Sequence, residues 1–190
     1  MEYEYSKLRK KLQTEAGKRF YDRLKGIYQK QFEGKPIFTL DYSKYKLIYK
    51  TGNRADYEEG FFSRRSRLTL LQLLALGDDA YLEPLEDILA AICDEYTWLL
   101  PSHAYAGNEE RVEQFDYTRV DLFASETGFY LSETAYMFGD KLSIDIRQRI
   151  QSCVKTKLLD NFESRTFWWE GDKGTNWTAV CAGGVGIAYL

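Results

Sequence analysis

The sequence predicts an all-α protein built from consecutive antiparallel helix pairs. Three observations carry this. Only 3 Pro occur in 190 residues, so few positions forbid helix. Apolar residues recur at spacings of three and four along most of the chain, the period of a helix with one buried face. Asp56, Ser143 and Asn176 stand where such stripes begin, and Gly34, Gly77 and Gly139 where they end, residue types that open and close helices. Paired helices bury one face on a neighbour and need further pairs to complete a layer.

The first element spans about residues 14–31, a basic helix on which Phe20, Leu24, Tyr28 and Phe32 recur at every fourth position. Gly34-Lys35-Pro36 stops it. From Ile37 to Lys50 the apolar residues alternate weakly (Tyr42, Tyr45, Leu47, Tyr49), which reads as a short hairpin or an extended arm. Asp56 with Glu59 fits an N-cap and its reciprocal acid. Leu68, Leu70, Leu71, Leu73, Leu74 and Leu76 then cover most of a helix circumference, so Arg65 to Leu76 should be buried nearly all round before Gly77 ends it. The next helix runs from about Pro84, tolerated in a first turn, to Trp98, with Leu85, Leu89, Ile92 and Tyr96 as its stripe. Leu100 to about Thr118 is a long polar loop spiked with Tyr105, Phe115 and Tyr117, and loops of that length are often functional. Helices follow from about Asp121 to Phe138 and from Ser143 through Ile146, Ile150, Val154 and Leu158. Asn176 opens a last helix with no stop signal before Leu190. The expected division is an N-terminal helix and extended arm over residues 1–55 and helix pairs over 56–190.

Composition excludes several classes. A net charge of −3 supplies no global basic field for nucleic acid, so an acidic partner must meet a local basic site. No apolar run approaches the ~20 residues that span a bilayer, so no membrane partner is expected. The charged start Met1-Glu2-Tyr3-Glu4-Tyr5-Ser6-Lys7 has no signal-peptide core, which points to a cytoplasmic chain, with export of a parent protein left open. Cys93, Cys153 and Cys181 lie far apart in apolar helical contexts and read as buried thiols of a reducing compartment. With His103 the only His and no clustered ligand spacing, neither a metal nor a cofactor is expected. No Gly-rich phosphate loop or serine nucleophile elbow is present.

The chemistry-bearing residues gather in loops at helix ends: Trp98, His103, Tyr105, Arg119, Asp121, Glu126, Arg165, Trp168, Trp169, Asn176 and Trp177. Three of the 4 Trp fall between positions 168 and 177. Aromatic faces stack on pyranose rings, and an amide offers donors and an acceptor to hydroxyls or a carboxylate. The same Trp residues would serve equally as core, where large aromatics usually sit. A loop His such as His103 acts as a general base or bonds a carbonyl structurally. Glu126 shares a helical face with Phe123 and Tyr130, where a carboxylate is either paired, with Arg119 or the Arg64-Arg65-Ser66-Arg67 cluster, or raised in pKa. Asn176 suits an N-cap, or an amide aimed at an anion beside a helix N-terminus, and the two uses compete for one side chain.

Three segments carry a resemblance. Trp98-Leu99-Leu100-Pro101-Ser102-His103, Asp121-Leu122-Phe123-Ala124-Ser125-Glu126-Thr127, and Phe167-Trp168-Trp169 followed by Asn176-Trp177-Thr178-Ala179-Val180-Cys181 resemble, in order and spacing over roughly residues 60–190, the heparinase II/III-like polysaccharide lyases. The resemblance implies an (α/α) toroid followed by a β-sandwich, with this chain as the N-terminal fragment of an incomplete toroid. It implies β-elimination on a uronic-acid-containing polysaccharide or oligosaccharide. Asn176 would neutralise the uronate carboxylate, His103 would be a candidate for the proton transfer, and Trp168, Trp169, Trp177, Tyr105, Arg165 and Glu126 would bind sugar. Two departures stand out. Trp177 follows Asn176 where many active lyases carry His, and the family's catalytic Tyr and a further His fall beyond Leu190, so the fragment alone should lack turnover. The alternatives are a non-catalytic carbohydrate-binding module and a structural helical domain that forms homo-oligomers through exposed apolar helix faces.

Overall fold

The computed structural model describes residues 5–104, 115–171 and 174–189, and no strand occurs among them. The helices are α1 (Tyr5–Leu12), α2 (Glu15–Gln31), α3 (Tyr42–Tyr45), α4 (Leu47–Thr51), α5 (Ala55–Gly77), α6 (Leu82–Cys93), α7 (Pro101–Ala104), α8 (Leu122–Phe138), α9 (Ile144–Val154), α10 (Asp160–Ser164) and α11 (Trp177–Ala188). The all-α expectation therefore holds. Tyr105 lies outside the described residues.

Local chemistry sets most boundaries. The Thr14 hydroxyl accepts from the Gly17 amide and starts α2. The inward face of α2 uses Tyr21 rather than Phe20, which is exposed, and the Tyr21 hydroxyl donates to the Leu74 carbonyl at 2.8 Å. The Asp121 carboxylate caps α8 by accepting from the Ala124 amide at 2.7 Å, and Ser143 caps α9 through the Ile146 amide at 3.4 Å. A π-helical turn, Lys155–Leu159, carries α9 directly into α10, so this helix runs beyond the expected end at Leu158.

Four expectations are corrected. The stretch after Ile37 is neither hairpin nor arm throughout, because α3 and α4 form there. Tyr42, Tyr45 and Tyr49 are spaced three and four apart, and the Asp41 carbonyl accepts from the Lys44 and Tyr45 amides to close the first turn. Gly52, at φ 74°, then ends α4 in a left-handed conformation that suits glycine. Asp56 does not cap α5: the helix starts at Ala55, and Asn53 accepts the Asp56 amide at 3.4 Å. Helix α6 ends at Cys93 rather than Trp98, because the Trp98 indole folds back and donates to the Ile92 carbonyl at 3.0 Å. That turn buries Trp98, Leu99 and Leu100 and leaves Tyr96 outside the stripe assigned to it. The Asn176 side chain makes no cap bond to α11.

The core is built pairwise. Leu68, Leu71 and Leu74 of α5 meet Leu85, Ile88, Leu89 and Ile92 of α6, all buried. On one side α2 covers α5, and on the other α9 packs on α6 and α8. The most extensive contact joins α11 to α8. There Gly184 approaches so closely that an added Cβ would stand 2.8 Å from the Ser125 carbonyl oxygen. The α5–α6 and α8–α9 connections are single 3₁₀ turns, Asp79–Tyr81 and Gly139–Lys141, so these are helical hairpins. Cys93 and Cys181 are buried free thiols, and burial pushes each up to about 12. Cys153 is only partly buried. No described helix is long and apolar enough to cross a membrane.

One buried ionic cluster ties the helices together. The Glu95 side chain is 0% exposed and takes Arg65 in a forked pair, with Nη2 to Oε2 at 2.7 Å. Arg64 reaches its Oε1 at 3.2 Å. Arg65 also donates to Thr127 of α8 and lies over the Phe61 ring. The Lys157 ammonium, from the π turn, donates to the Cys93 and Glu95 carbonyls. Arg64 and Arg65 are therefore committed to Glu95 and not to Glu126.

Candidate functional site

A cleft of about 390 Å³ opens where the segment after α6, the start of α8 and the loop before α11 converge. Its chemistry centres on His103. One turn of helix, α7, presents that residue after the buried Trp98-Leu99-Leu100 segment, with the His103 amide donating to the Leu100 carbonyl. Its Nδ1 lies 2.7 Å from Oδ2 of Asp121. Asp121 is buried at the N-terminus of α8, where its Oδ1 accepts the Ala124 amide and its Oδ2 the Leu100 amide at 3.4 Å. These oxygens are all acceptors here, so Nδ1 carries the shared proton and Nε2 keeps a lone pair. A carboxylate that fixes the tautomer of an imidazole in a cleft is the arrangement of a general base with its positioning residue.

Aromatic rings flank the imidazole. Phe123 stacks on it at 5.8 Å and 21°, and Trp177 packs at 5.0 Å. Trp168 lies against Trp177 at 5.1 Å and is 61% exposed. An exposed indole beside the His103–Asp121 pair offers a flat apolar face at the cleft.

Opposite lies a cationic wall. Arg165 donates from both Nη1 and Nη2 to Oδ2 of Asp116, each at 3.1 Å. Arg119 Nε stands 3.5 Å from the same oxygen, and its Nη1 donates to the His103 carbonyl at 3.0 Å. Burial pushes the Asp116 carboxyl up, but the Thr118 hydroxyl and amide and the Arg165 guanidinium outweigh it and hold it below the usual carboxylate range. Two guanidiniums thus converge on one carboxylate in this wall. In the same wall the Ser102 Oγ is buried without a hydrogen-bond partner among the described residues.

The structure brings His103, Arg165, Trp168 and Trp177 into one cleft. It removes Trp169 from it. That residue is 1% exposed, donates from Nε1 to the Val120 carbonyl at 2.9 Å and stacks flat on Phe167, so it is a core pillar and not a sugar contact. Glu126 lies further along α8, half-buried and outside the cleft wall, with no ion pair among the described residues. Burial, aided by the Asp121 charge, raises its pKa, the second of the two fates expected for it. Asn176 is exposed, outside the cleft wall, one residue before Trp177.

Asp116 was missed from sequence, as was the pairing of Asp121 with His103. The residue types were visible, but His103 and Asp121 belong to different helices, and only the tertiary fold brings them together. Among the described residues no group of three or more His, Cys, Asp or Glu could hold a metal ion. No protein-family model matches the chain, and no curated protein matches it.

Proposed function

We propose that the protein is a heparinase II/III-like polysaccharide lyase acting by β-elimination on a uronic-acid-containing glycan, with the cleft at His103 as its site and the helix pairs as the opening part of an (α/α) toroid. One observation supports this reading above the rest. The three separated segments that carry the resemblance each contribute to one cleft: His103 from the first, Asp121 from the second, Trp168 and Trp177 from the third.

In this reading a sugar ring stacks on Trp168 and its carboxylate meets the Arg119–Arg165 wall. Neutralising that carboxylate acidifies the adjacent C5–H. The Nε2 of His103 takes the C5 proton, the C–H electron pair becomes the C4–C5 double bond, and the C4–O bond breaks. The leaving oxygen takes a proton back from the imidazolium. Asp121 is the positioning residue.

The test is direct. Incubating the intact protein, with the downstream segments that the resemblance implies, with polygalacturonate, alginate and unsulfated heparosan should produce the ultraviolet absorbance of an unsaturated uronate, and His103→Ala should abolish it. A non-catalytic binding module is the second reading, favoured by the exposure of Trp168, which offers a platform whether or not a proton moves. It predicts quenching of tryptophan fluorescence by the same glycans with no new absorbance.

A further inference from the structure

A second cavity, of about 400 Å³, lies between α3, the N-terminal part of α5 and the segment after α6. Its walls include Thr39, Tyr42, Tyr45, Tyr57, Arg64 and Tyr96. Two of these are committed to the protein. Tyr45 donates its hydroxyl to the Leu99 carbonyl at 3.2 Å. Arg64 donates to the Phe38 carbonyl at 2.8 and 2.6 Å, to the Ala91 carbonyl at 2.7 Å and to Glu95. They hold the wall rigid.

Tyr57 differs. It is 4% exposed, lines the cavity, and its hydroxyl has no hydrogen bond among the described residues. The hydroxyl keeps contact with the cavity's solvent, where a ligand hydroxyl can replace water as its partner. At the mouth, Tyr96 is 71% exposed and Tyr42 is half-exposed, with ring centroids 5.8 Å apart. The nearby charges are already paired, Asp94 with Arg149 and Glu95 with Arg64 and Arg65. The cavity therefore offers ring faces and hydroxyls without net charge, the chemistry of a neutral sugar face rather than of a carboxylate or phosphate.

One short segment links this cavity to the cleft. Tyr117 packs edge-on against Tyr96 at 4.8 Å, with its hydroxyl 3.4 Å from that of Tyr42. Its chain neighbour Asp116 lines the His103 cleft.

We propose that the tyrosine cavity is a second saccharide subsite, which holds a hydroxyl-rich ring of the same glycan chain whose acidic unit sits at His103. Tyr42 and Tyr96 stack on that ring, and the Tyr57 hydroxyl bonds one of its hydroxyls. The inference rests on the glycan reading above.

The test is calorimetric titration of the full chain with a disaccharide and an octasaccharide of heparosan, in which an uncharged ring alternates with the uronate. Octasaccharide should bind more tightly than disaccharide. Tyr96→Ala should weaken octasaccharide about tenfold and Tyr57→Phe, which keeps the ring, about threefold, both leaving disaccharide unchanged. Trp168→Ala should weaken both lengths. If Trp168→Ala weakens binding while the tyrosine variants change neither length, or change both equally, the subsite is overturned and the glycan reading stands. If no probe binds the unmodified protein, both fall together.

Discussion

Two carboxylates at helix ends organise the charge of this molecule, and they do opposite things. Glu95, just beyond α6, is sealed: two guanidiniums and three helices close over it, and its partners have little exposure of their own, 11% and 12% for the Arg64 and Arg65 side chains. Asp121, at the start of α8, is equally buried but holds a His that lines a cleft. A charge fully paired on all sides is a tie, because breaking it strands its partners in a low dielectric. A charge paired on one side and passing its influence through an imidazole to solvent is a device for chemistry. The contrast separates structural from functional charge without reference to residue type, since both centres are a carboxylate with basic neighbours.

The largest effect that would sharpen this contrast is at Glu95. Glu95→Ala should lower unfolding free energy by about 3–5 kcal/mol in urea titration, because Arg64 and Arg65 are left buried without their partner. A loss below about 1 kcal/mol would mean the cluster is well hydrated and the comparison fails.

Neighbouring tryptophans supply the next test. Trp169→Ala should cost about 3–5 kcal/mol through the void it leaves, with glycan binding altered only as far as folding is. Trp168→Ala should change stability by less than about 0.5 kcal/mol yet abolish glycan-induced fluorescence quenching. The reverse pattern would exchange their roles.

These two residues also mark the limit of what the sequence disclosed. The helix pairs were legible because Leu68, Leu71 and Leu74, or Leu85, Leu89 and Ile92, repeat the helical period over a whole element. The caps at Ser143 and at Thr14 or Asp121 are local events within three residues. Trp168 and Trp169 are the same residue type one position apart, and which one turns inward is decided by Phe167 and the Val120 carbonyl, 49 positions away in the case of Val120. Tyr42, Tyr45 and Tyr49 misled in the other direction, because in so short a segment a spacing of three and four is hard to tell from weak alternation. Trp98 stood at the expected end of α6, but its indole folds back on that helix instead of extending it.

A smaller effect on stability, and a larger one on chemistry, is expected at Asp121. Asn retains an oxygen for the Ala124 amide, so Asp121→Asn should cost about 1 kcal/mol or less. Its amide would present either that oxygen or an NH₂ to Nδ1, and the tautomer would no longer be fixed. Any eliminating activity should then fall on the order of a hundredfold or more, while glycan affinity stays within about threefold. Equal losses of affinity and rate would make His103 a binding group and not a base.

The smallest effect concerns a carboxyl on the same helix that belongs to neither centre. Burial first, and the Asp121 charge second, raise the pKa of Glu126 in the folded protein above its ordinary 4.5. The folded state therefore holds this proton more tightly than the unfolded state does. Stability from the protonated form is fully present below 4.5 and is lost as pH rises through the higher folded value. At neutral pH the ionised Glu126 opposes folding, so Glu126→Gln should melt at a higher temperature there, by on the order of 1 °C given its solvent access. The gap should close as the pH is lowered past 4.5, where the native Glu is protonated in both states. A gap that widened toward acid would mean that the carboxylate is held by a cation, and Glu126 would then belong with Glu95 among the ties.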